Sequence, residues 1–458
     1  MPSLDPLYTA EEMKRAESGH DVDELMARAG RAVAEEAMRR FPDAQRFVAV
    51  CGGGANGGDG RIALEVLESA GKAARAAEDA PVEEADVVID ALFGTGFRGE
   101  AREDAARAIE AMNATGKPIV AVDLPSGVDA STGEVAGACV EPTVTVTMHA
   151  PKVGLEVAPG RFRAGEVVVA DIGLERHETE HALVTPAILG QVPRRSAEQN
   201  KYTAGTVLVV GGSRGLTGAP ALAAEAAFRA DAGYVAVAVP DSTLAVFEQR
   251  LLEAVKLPCP EKDGRISPQA VDPIVEFAGK AGSLALGPGL GRGRGPSEVV
   301  RLLLEQLDRP IVVDADGLYE LEPVQRSAPT VLTPHEGELA ALLGEESEWI
   351  AAHRLEAVRR GAERFGCVCL LKGADTLIAA PGQGVLVSSL GTPALATAGT
   401  GDVLTGIVAA FLAKGVEPRL AAAAAAAAQQ LASRVIPQSG AVASDFTAAL
   451  PLVLDAPV

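Results

Sequence analysis

The sequence predicts an α/β protein with two domains, each built around a mainly parallel sheet. Short apolar segments typical of buried strands alternate with segments of helical periodicity along the chain. The 49 glycines and 29 prolines suit tight turns between closely packed layers. A loosely patterned stretch, VTPAILGQVPRRSAEQNKYTAG, separates two series of strands. We therefore predict one domain over residues 1–195 and a second over residues 196–458.

Charge and composition limit the kinds of partner. The 458 residues carry a formal net charge of −21, which argues against binding to nucleic acid or to an anionic membrane surface. Five cysteines are scattered without the spacing of a metal site, so reduced thiols are expected. We identify no pattern of a signal peptide or of a membrane span. The composition therefore predicts a cytoplasmic protein that binds small molecules.

The first domain opens with two predicted helices. Thr9 with Glu12, and Asp21 with Glu24, have the spacing of helix-capping residues. The segment FVAVCGGGANGGDGRIALEVLESAG then predicts a strand, a glycine turn and a helix. Two further strands, each followed by a loop, are predicted in ADVVIDALFGTGFRGE and PIVAVDLPSGVDAST. An aspartate stands where each of these two apolar runs stops, and the carboxyl ends of parallel strands are where open sheets gather ligands.

Polar side chains at these strand ends predict a binding site. Asn56, Asp90 and Ser126 follow successive strands and should converge, which would make an oxygen-lined cation site. Asp123 would remain free for proton transfer or for a ribose. Asn56 and Asp59 interrupt the glycines of a dinucleotide fingerprint in GGGANGGDG, so this turn suits a cation or ribose hydroxyls as well as it suits pyrophosphate.

The second domain is predicted to contain six short strands that alternate with helices. Their segments are GTVLVV, YVAVAVP, SLALG, PIVVDADG, TVLTPHE and VCLLKG. His335 and Glu338 follow the fifth strand, and this position makes His335 a candidate binding residue. Lys372 and Thr376 follow the sixth strand and suit a nucleotide phosphate. The eight alanines 421–428 predict one close-packed helix.

The segment TAGTGD predicts an anion-binding loop at the start of a helix. Its glycines allow backbone amides to approach an anion, and the N-terminus of the helix VLTGIVAAFLAKG adds partial positive charge. Asp402 would repel a phosphate, but it could accept the proton of a hydroxyl that attacks that phosphate. The segment therefore predicts phosphoryl transfer to a hydroxyl, with Asp402 as the base.

Ten motifs resemble two known enzyme families. GGSRGLTGAP, GPGLG, DADGL, TPHEGE, LKGADT and LATAGTGD are together similar to the ADP-dependent NAD(P)H-hydrate dehydratases of the ribokinase-like superfamily. LMARAG, NGGDG, DALFGTGFRGE and DLPSGVD resemble the NAD(P)H-hydrate epimerases. The two resemblances cover nearly the whole chain. They imply a Rossmann-like three-layer sandwich followed by a ribokinase-like α/β domain.

The resemblances also imply a reaction and its ligands. The dehydratase would restore hydrated NADH and NADPH, here called NADHX and NADPHX, at the expense of ADP, giving AMP and phosphate. The epimerase would interconvert the R and S forms of the hydrates. A potassium ion is implied for the epimerase domain and a magnesium ion for the dehydratase domain. We also expect a homo-oligomer.

The residues implied for these roles match the family motifs position by position. Asp402 and Asp123 are the expected catalytic residues. Potassium is expected at Asn56, Asp90 and Ser126. Hydrate contacts in the first domain are expected at Asn56, Gly57, Gly58, Asp59, Gly60, Gly94, Thr95, Gly96, Phe97, Arg98, Gly99, Glu100 and Asp123. Hydrate contacts in the second domain are expected at Ala219, Gly289, His335 and Asp402. ADP contacts are expected at Lys372, Gly373, Ala374, Asp375, Thr376, Thr392, Thr397, Ala398, Gly399, Thr400 and Gly401.

One alternative stays open for each domain. An ATP-dependent small-molecule hydroxyl kinase would also use an anion-binding loop with an aspartate, although TPHEGE departs from the TPN typical of vitamin-precursor kinases. The first domain could be a non-catalytic binding module. Its segment GKAARAAEDAPVEEAD is too short for both the strand and the helix that family members usually have there, and Ala55 replaces a usual asparagine.

Overall fold

The computed structural model describes residues 3–456, which form two compact units. The smaller unit contains residues 6–182 and 351–355, and the larger unit contains the other described residues. The division falls after residue 182, whereas we predicted it after residue 195. The reason is that the 3₁₀ helix Pro186–Gln191 packs against the helix Pro418–Ala432 of the larger unit.

The strands and helices up to residue 184 agree with the predicted α/β class. The strands are β1 (Leu4–Leu7), β2 (Arg46–Cys51), β3 (Ala73–Ala76), β4 (Val87–Ala91), β5 (Ile119–Val122), β6 (Val144–Met148), β7 (Glu166–Ala170) and β8 (His181–Val184). The helices are α1 (Ala10–Glu17), α2 (Val22–Arg40), α3 (Ala55–Ser69), α4 (Glu103–Ala114) and α5 (Val153–Glu156).

The smaller unit is a three-layer sandwich around a six-stranded sheet of order β3-β2-β4-β5-β6-β7. Every pairing in this sheet is parallel. Helices α1, α2 and α3 bury their apolar sides on one face, and α4 packs on the other with Ile109 and Met112. The carboxyl ends of β2, β4, β5 and β6 therefore lie along one edge, which is where the predicted polar residues stand.

Local signals predicted the first helices correctly but not the glycine-rich segment. Thr9 and Asp21 are the N-caps of α1 and α2, and Glu12 completes a capping box in α1. Helix α3 begins already at Ala55, so Asn56 to Gly60 lie in its first turns and not in the turn that we predicted. The short segment before β4 contains the edge strand β3 and a 3₁₀ turn over Val82–Glu84, without an α-helix.

The larger unit adds eleven strands and ten helices within the described residues. The strands are β9 (Thr206–Val210), β10 (Tyr234–Pro240), β11 (Val255–Cys259), β12 (Glu261–Lys262), β13 (Arg265–Ile266), β14 (Ser283–Leu286), β15 (Ile311–Val313), β16 (Thr330–Leu332), β17 (Val368–Leu371), β18 (Thr376–Ala379) and β19 (Leu386–Ser388). The helices are α6 (Gly218–Arg229), α7 (Leu244–Arg250), α8 (Val271–Ala278), α9 (Arg294–Gln306), α10 (Glu336–Leu343), α11 (Ser347–Ala352), α12 (Arg354–Phe365), α13 (Thr400–Ala413), α14 (Pro418–Ala432) and α15 (Ala443–Asp455).

Its main sheet has the order β1-β8-β19-β18-β17-β16-β15-β14-β9-β10-β11. Strands β9, β10, β11 and β14 to β17 pair in parallel, and β18 and β19 are antiparallel. Helices α8 and α9 pack on one face of this sheet, and helices α6, α13 and α14 pack on the other. All six predicted strands are present, and alanines 421–428 are buried in α14 as predicted. No helix among residues 3–456 combines the length and apolar character needed to cross a membrane.

Helices α6 and α13 touch almost backbone to backbone. Gly406 of α13 lies against α6, where a Cβ at this position would stand 2.1 Å from the carbonyl oxygen of Ala223. Ala223 and Ala226, which face Gly406, are fully buried. A close-packed contact of this kind leaves no room for one more methyl group.

We expect Gly406→Ala to destabilise the larger unit by about 1–3 kcal/mol, because α13 must move away from α6. Thermal unfolding of the full chain would show this as a lower midpoint for the transition of that unit. Gly295→Ala is the matched control, since Gly295 lies in α9 and nothing is within 4 Å of its added Cβ. Gly295→Ala should leave the unfolding midpoint unchanged or raise it slightly. An equal fall of the midpoint in both variants would contradict the packing argument.

Candidate active sites

The carboxyl edge of the larger sheet brings three charged side chains together, those of Lys372, Asp314 and Glu338. Lys372 follows β17, and its Nζ lies 2.7 Å from Oδ1 of Asp314 and 3.7 Å from Oε2 of Glu338. Asp314 follows β15 and accepts a second hydrogen bond, of 2.7 Å, from the hydroxyl of Thr405 in α13. The pKa of Lys372 is raised, because Asp314 and Glu338 outweigh the effect of burial, which acts to lower it. Lys372 is therefore a charged centre held between carboxylates.

Asp402 stands in the first turn of α13, next to this centre. Its pKa is raised to about 7, first by burial and then by the carboxylate of Asp314, while Lys372 acts in the opposite direction. Gly399 is the N-cap with a φ of 91°, and among the described residues no side chain caps the helix. The amide of Thr400 donates to the carbonyl of Thr397 at 3.3 Å, which leaves the amides of Gly401 and Asp402 for an anion beside a carboxyl group that can accept a proton near neutral pH.

His335 is fixed as the N-cap of α10. Its Nδ1 accepts hydrogen bonds from the amides of Gly337 at 3.0 Å and Glu338 at 3.3 Å, and the Glu338 carboxylate accepts from the amide of His335. Because Nδ1 is an acceptor, the proton of the neutral ring lies on Nε2. The side chain is 59% exposed, and its Nε2 lies 3.5 Å from Oε1 of Glu338, so a ligand that reaches Nε2 would also meet this carboxylate.

The other two predicted hydrate contacts lie side by side. Gly289 follows β14 with a φ of 61°, and Ala219 lies in the first turn of α6. A Cβ added at Gly289 would stand 2.4 Å from the carbonyl oxygen of Leu216 and 3.3 Å from Cβ of Ala219. Only glycine fits this position, because a side chain would collide with the backbone of Leu216. Gly289 is buried, and its carbonyl accepts a hydrogen bond of 3.0 Å from the hydroxyl of Ser213.

Side chains of the two predicted ADP segments are mostly engaged within the protein. The hydroxyls of Thr392, Thr397 and Thr400 donate to backbone carbonyls and brace the loop that precedes α13. Thr376 donates to the carbonyl of Gly373 and accepts from Gln430. The side chains of Lys372 and Thr376, which we predicted to suit a phosphate, contact Asp314 and the carbonyl of Gly373 in this structure, and their role toward a phosphate stays a prediction. Contacts to a nucleotide from these segments would therefore come mainly from backbone.

The smaller unit brings Asn56, Asp90 and Ser126 together. Ser126 donates from its hydroxyl to Asp90 at 2.6 Å and from its amide at 2.8 Å. The amide of Phe93 donates to the Ser126 hydroxyl, and the carbonyl of Phe93 accepts from Nδ2 of Asn56 at 2.8 Å. Asp90 is fully buried, and burial raises its pKa to about 6. No cationic side chain of residues 3–456 lies within 4.0 Å of this carboxylate.

Asp123 has a buried lysine partner that we did not predict. Lys152, in the segment HAPK after β6, is fully buried, and its Nζ lies 2.5 Å from Oδ1 of Asp123. The ammonium also donates to the hydroxyl of Thr147 and the carbonyl of Met148. Asp123 itself has a φ of 65°, an uncommon conformation for a residue with a side chain.

Asp59 of α3 faces the same pair. Its pKa is raised to about 8, first by burial and then by the charges of Asp123 and Glu17, against Lys152. The predicted contacts 94–100 form the loop after β4, in which Phe93 and Phe97 stack with ring centroids 4.8 Å apart. This edge thus holds the Asp123–Lys152 ion pair, the Asp59 carboxyl group with its raised pKa and an aromatic pair.

Comparisons with known proteins agree with both units. The family model described as NAD(P)H-hydrate dehydratase matches residues 207–452, and the model for the YjeF-related protein N-terminus matches residues 22–78 and 68–154. The bifunctional NAD(P)H-hydrate repair enzyme Nnr of Moorella thermoacetica is 38% identical over 94% of this chain and 92% of its own length. The enzyme of the same name from Pyrobaculum aerophilum is 40% identical over 88% of this chain and 87% of its own.

A solved structure supports the fold of the larger unit. The ADP/ATP-dependent NAD(P)H-hydrate dehydratase of Bacillus subtilis, crystallised with ATP and Mg²⁺, is 28% identical and superposes with a TM-score of 0.52. It covers 59% of this chain and 96% of its own. Fold and sites together define a two-domain nucleotide-dependent enzyme with a Rossmann-like and a ribokinase-like domain. The chain belongs to the family of bifunctional NAD(P)H-hydrate repair enzymes.

Proposed function

We propose that this chain repairs NADHX and NADPHX. The larger unit dehydrates the S form at the expense of ADP, giving AMP and phosphate, and the smaller unit interconverts the R and S forms. The observation that supports this proposal most directly is Asp402, a carboxyl group with a pKa of about 7 beside uncapped helix amides. A hydroxyl kinase would use the same geometry, but the family to which the chain belongs does not favour that alternative.

In the dehydratase reaction, Asp402 acts as the base. It accepts the proton of the ring hydroxyl while that oxygen attacks the terminal phosphate of ADP, so that a new P–O bond forms and AMP leaves. The ring nitrogen then donates its electron pair and the C–O bond to the phosphate breaks. Loss of a proton from the neighbouring ring carbon restores the dihydropyridine. The amides at the start of α13 stabilise the transferring phosphoryl group.

The pH dependence of dehydration should report Asp402. Only its carboxylate form accepts a proton, so kcat for the S hydrate should rise with pH up to about 7 and level off above it. Asp314→Asn removes a carboxylate that raises this pKa, and we expect its acid limb to move to lower pH. Asp308→Asn, a substitution away from this carboxyl edge, is the control and should keep the wild-type profile. A profile that is flat from pH 5.5 to 8 would contradict the role of Asp402.

The nucleotide phosphates would be held by backbone of the loop 392–401 and of the segment 372–376. No group of three His, Cys, Asp or Glu side chains within residues 3–456 is placed to hold a metal ion. A magnesium ion bound together with the nucleotide would neutralise phosphate charge.

In the epimerase domain, Asp90, Ser126 and Asn56 fit a potassium ion. They offer carboxylate, hydroxyl and amide oxygens around a buried charge that has no cationic side chain beside it. A potassium ion there would supply a positive charge that orients the hydrate. Epimerisation requires the ring hydroxyl to leave and return on the opposite face, with one proton delivered and one removed. Asp123, which is paired with the buried Lys152, is the proposed proton-transfer group.

A single assay tests both activities in the full chain. Purified protein receives a mixture of R and S hydrates with ADP, and the near-ultraviolet absorbance of reduced nicotinamide is followed. We expect recovery of both epimers. Absence of ADP-dependent recovery would contradict the dehydratase, and recovery that stops at the share of the S form would contradict the epimerase and favour a non-catalytic binding module.

The homo-oligomer and the cytoplasmic location stay predictions. Light scattering on the purified full chain would measure the mass in solution, and a mass equal to one chain would contradict the oligomer. Cell fractionation would test the location.

A further inference from the structure

A cavity of about 280 Å³ lies beside the predicted hydrate contacts of the larger unit. Its walls come from the loops after β9 and β14, the turn between β12 and β13, and the segment after β15. Three arginines, Arg214, Arg265 and Arg292, line it against two aspartates, Asp263 and Asp316. In a chain with a net charge of −21, this concentration of positive charge needs an explanation.

Two of the three arginines form no ion pair within 4.0 Å with a described residue, although Arg214 lies near Glu261, whose pKa is lowered first by hydrogen bonds from Ser242 and also by the charge of Arg214. Arg292 pairs with Asp316 at 3.1 Å. Arg214 and Arg265 are exposed, and neither side chain forms an ion pair or hydrogen bond with a group in the described part of the chain. Backbone contacts fix both: the amide of Arg214 donates to the carbonyl of Gly264, and Arg265 forms a β-bridge with Ser213. Two unpaired guanidinium groups thus stand on adjacent, braced segments.

The cavity lies on the hydrate side of the site. Leu216 and Gly291 line it, and Leu216 contacts Gly289, which in turn lies beside Ala219. The proposed nucleotide contacts follow β17 and precede α13. In the sheet, β17 is separated from β9 and β14 by β15 and β16. A ligand whose nicotinamide end reaches Asp402 past Ala219 and Gly289 can therefore place its remaining part in this cavity without displacing ADP.

We propose that Arg214 and Arg265, with Arg292, bind a phosphate group of the hydrated dinucleotide. Beyond its nicotinamide riboside, this substrate carries a pyrophosphate and, in NADPHX, a 2′-phosphate. Arginine matches phosphate oxygens with two parallel N–H donors, and an exposed arginine cavity suits an anion that stays partly hydrated. This inference rests on the proposed dehydratase function and assigns the cavity to its substrate.

The test is the double variant Arg214→Ala/Arg265→Ala in the full chain, together with each single variant. Initial rates are measured with the S forms of NADHX and of NADPHX at saturating ADP. We expect the KM for hydrate to rise at least about tenfold in the double variant, with kcat within about twofold and the KM for ADP unchanged. A higher KM for both hydrates would assign the cavity to the pyrophosphate, and a higher KM for NADPHX alone would assign it to the 2′-phosphate.

An unchanged KM for both hydrates, or a rise confined to the KM for ADP, would overturn the proposal. Arg301→Ala is the matched control, because it removes one exposed arginine that pairs with Glu305 on α9 and should leave every KM unchanged. The unfolding midpoint and the epimerase activity of the same chain report whether the variants are folded. If the wild type showed no ADP-dependent recovery, the proposed function would fail before the arginines were tested.

Discussion

Asp402→Asn is expected to lower kcat for dehydration by about 10²–10⁴-fold, because the amide cannot accept the hydroxyl proton. The substitution keeps the shape of the side chain and leaves the backbone amides at the start of α13 in place. Binding of ADP, measured by calorimetry, should therefore remain close to the wild-type value. Nicotinamide absorbance with the S hydrate and ADP gives the rate.

Two comparisons make this result specific. Epimer exchange by the Asp402→Asn variant should match the wild type, because Asp402 lies in the larger unit and Asp123 in the smaller. Asp308→Asn, which also removes one carboxylate from the larger unit, should retain full dehydration. If Asp402→Asn dehydrated the S hydrate at the wild-type rate, another group would have to be the base.

Asp123→Asn is expected to slow epimer exchange by about 10²–10⁴-fold while dehydration of the S hydrate continues. With a mixed substrate, absorbance should recover quickly to the share of the S form and then rise only at the spontaneous exchange rate. Lys152→Met should give the same pattern, because it removes the ammonium that holds the Asp123 carboxylate and leaves that carboxylate without its ion-pair partner. Chromatographic separation of the two epimers over time measures the exchange directly.

The dehydratase activity of the same chain shows only that the larger unit is folded. Thermal unfolding of the variants must therefore also be compared with that of the wild type. Asp104→Asn, on the exposed surface of α4, removes an equivalent charge and should leave exchange unchanged. Wild-type exchange in Asp123→Asn would contradict proton transfer by this residue. A loss of exchange accompanied by unfolding of the smaller unit would indicate a structural role instead.

The chemistry of single strand ends could be predicted from the sequence. Asp402, His335 and Asp90 each stand directly after an apolar run or a glycine loop, and in a parallel sheet such positions meet at one edge. Partners that come from distant segments could not be predicted. Asp314 lies 58 residues before Lys372, and their contact depends on the pairing of β15, β16 and β17.

Lys152 shows the same limit in the smaller unit. Its contact with Asp123 requires β6 to lie beside β5, and we did not predict β6 or β7, although VTVTM is made mostly of valine and threonine, which favour strands. The start of α3 at Ala55 was also missed, since glycine-rich sequence has low helix propensity and tertiary packing overrides it here. Recognition of a fourth strand before HAPK would have placed Lys152 at the correct edge.

The contact between α6 and α13 sets a fixed distance inside the active site. Ala219 lies near the start of α6, and Asp402 lies near the start of α13. Gly406 lets these two helices meet without an intervening layer of side chains. No rotamer change can widen such a junction. The fixed spacing of the two helices therefore limits the size of the substrate ring that can reach Asp402. Attempts to adapt this enzyme to a bulkier hydroxyl substrate should vary the loops around the helix pair.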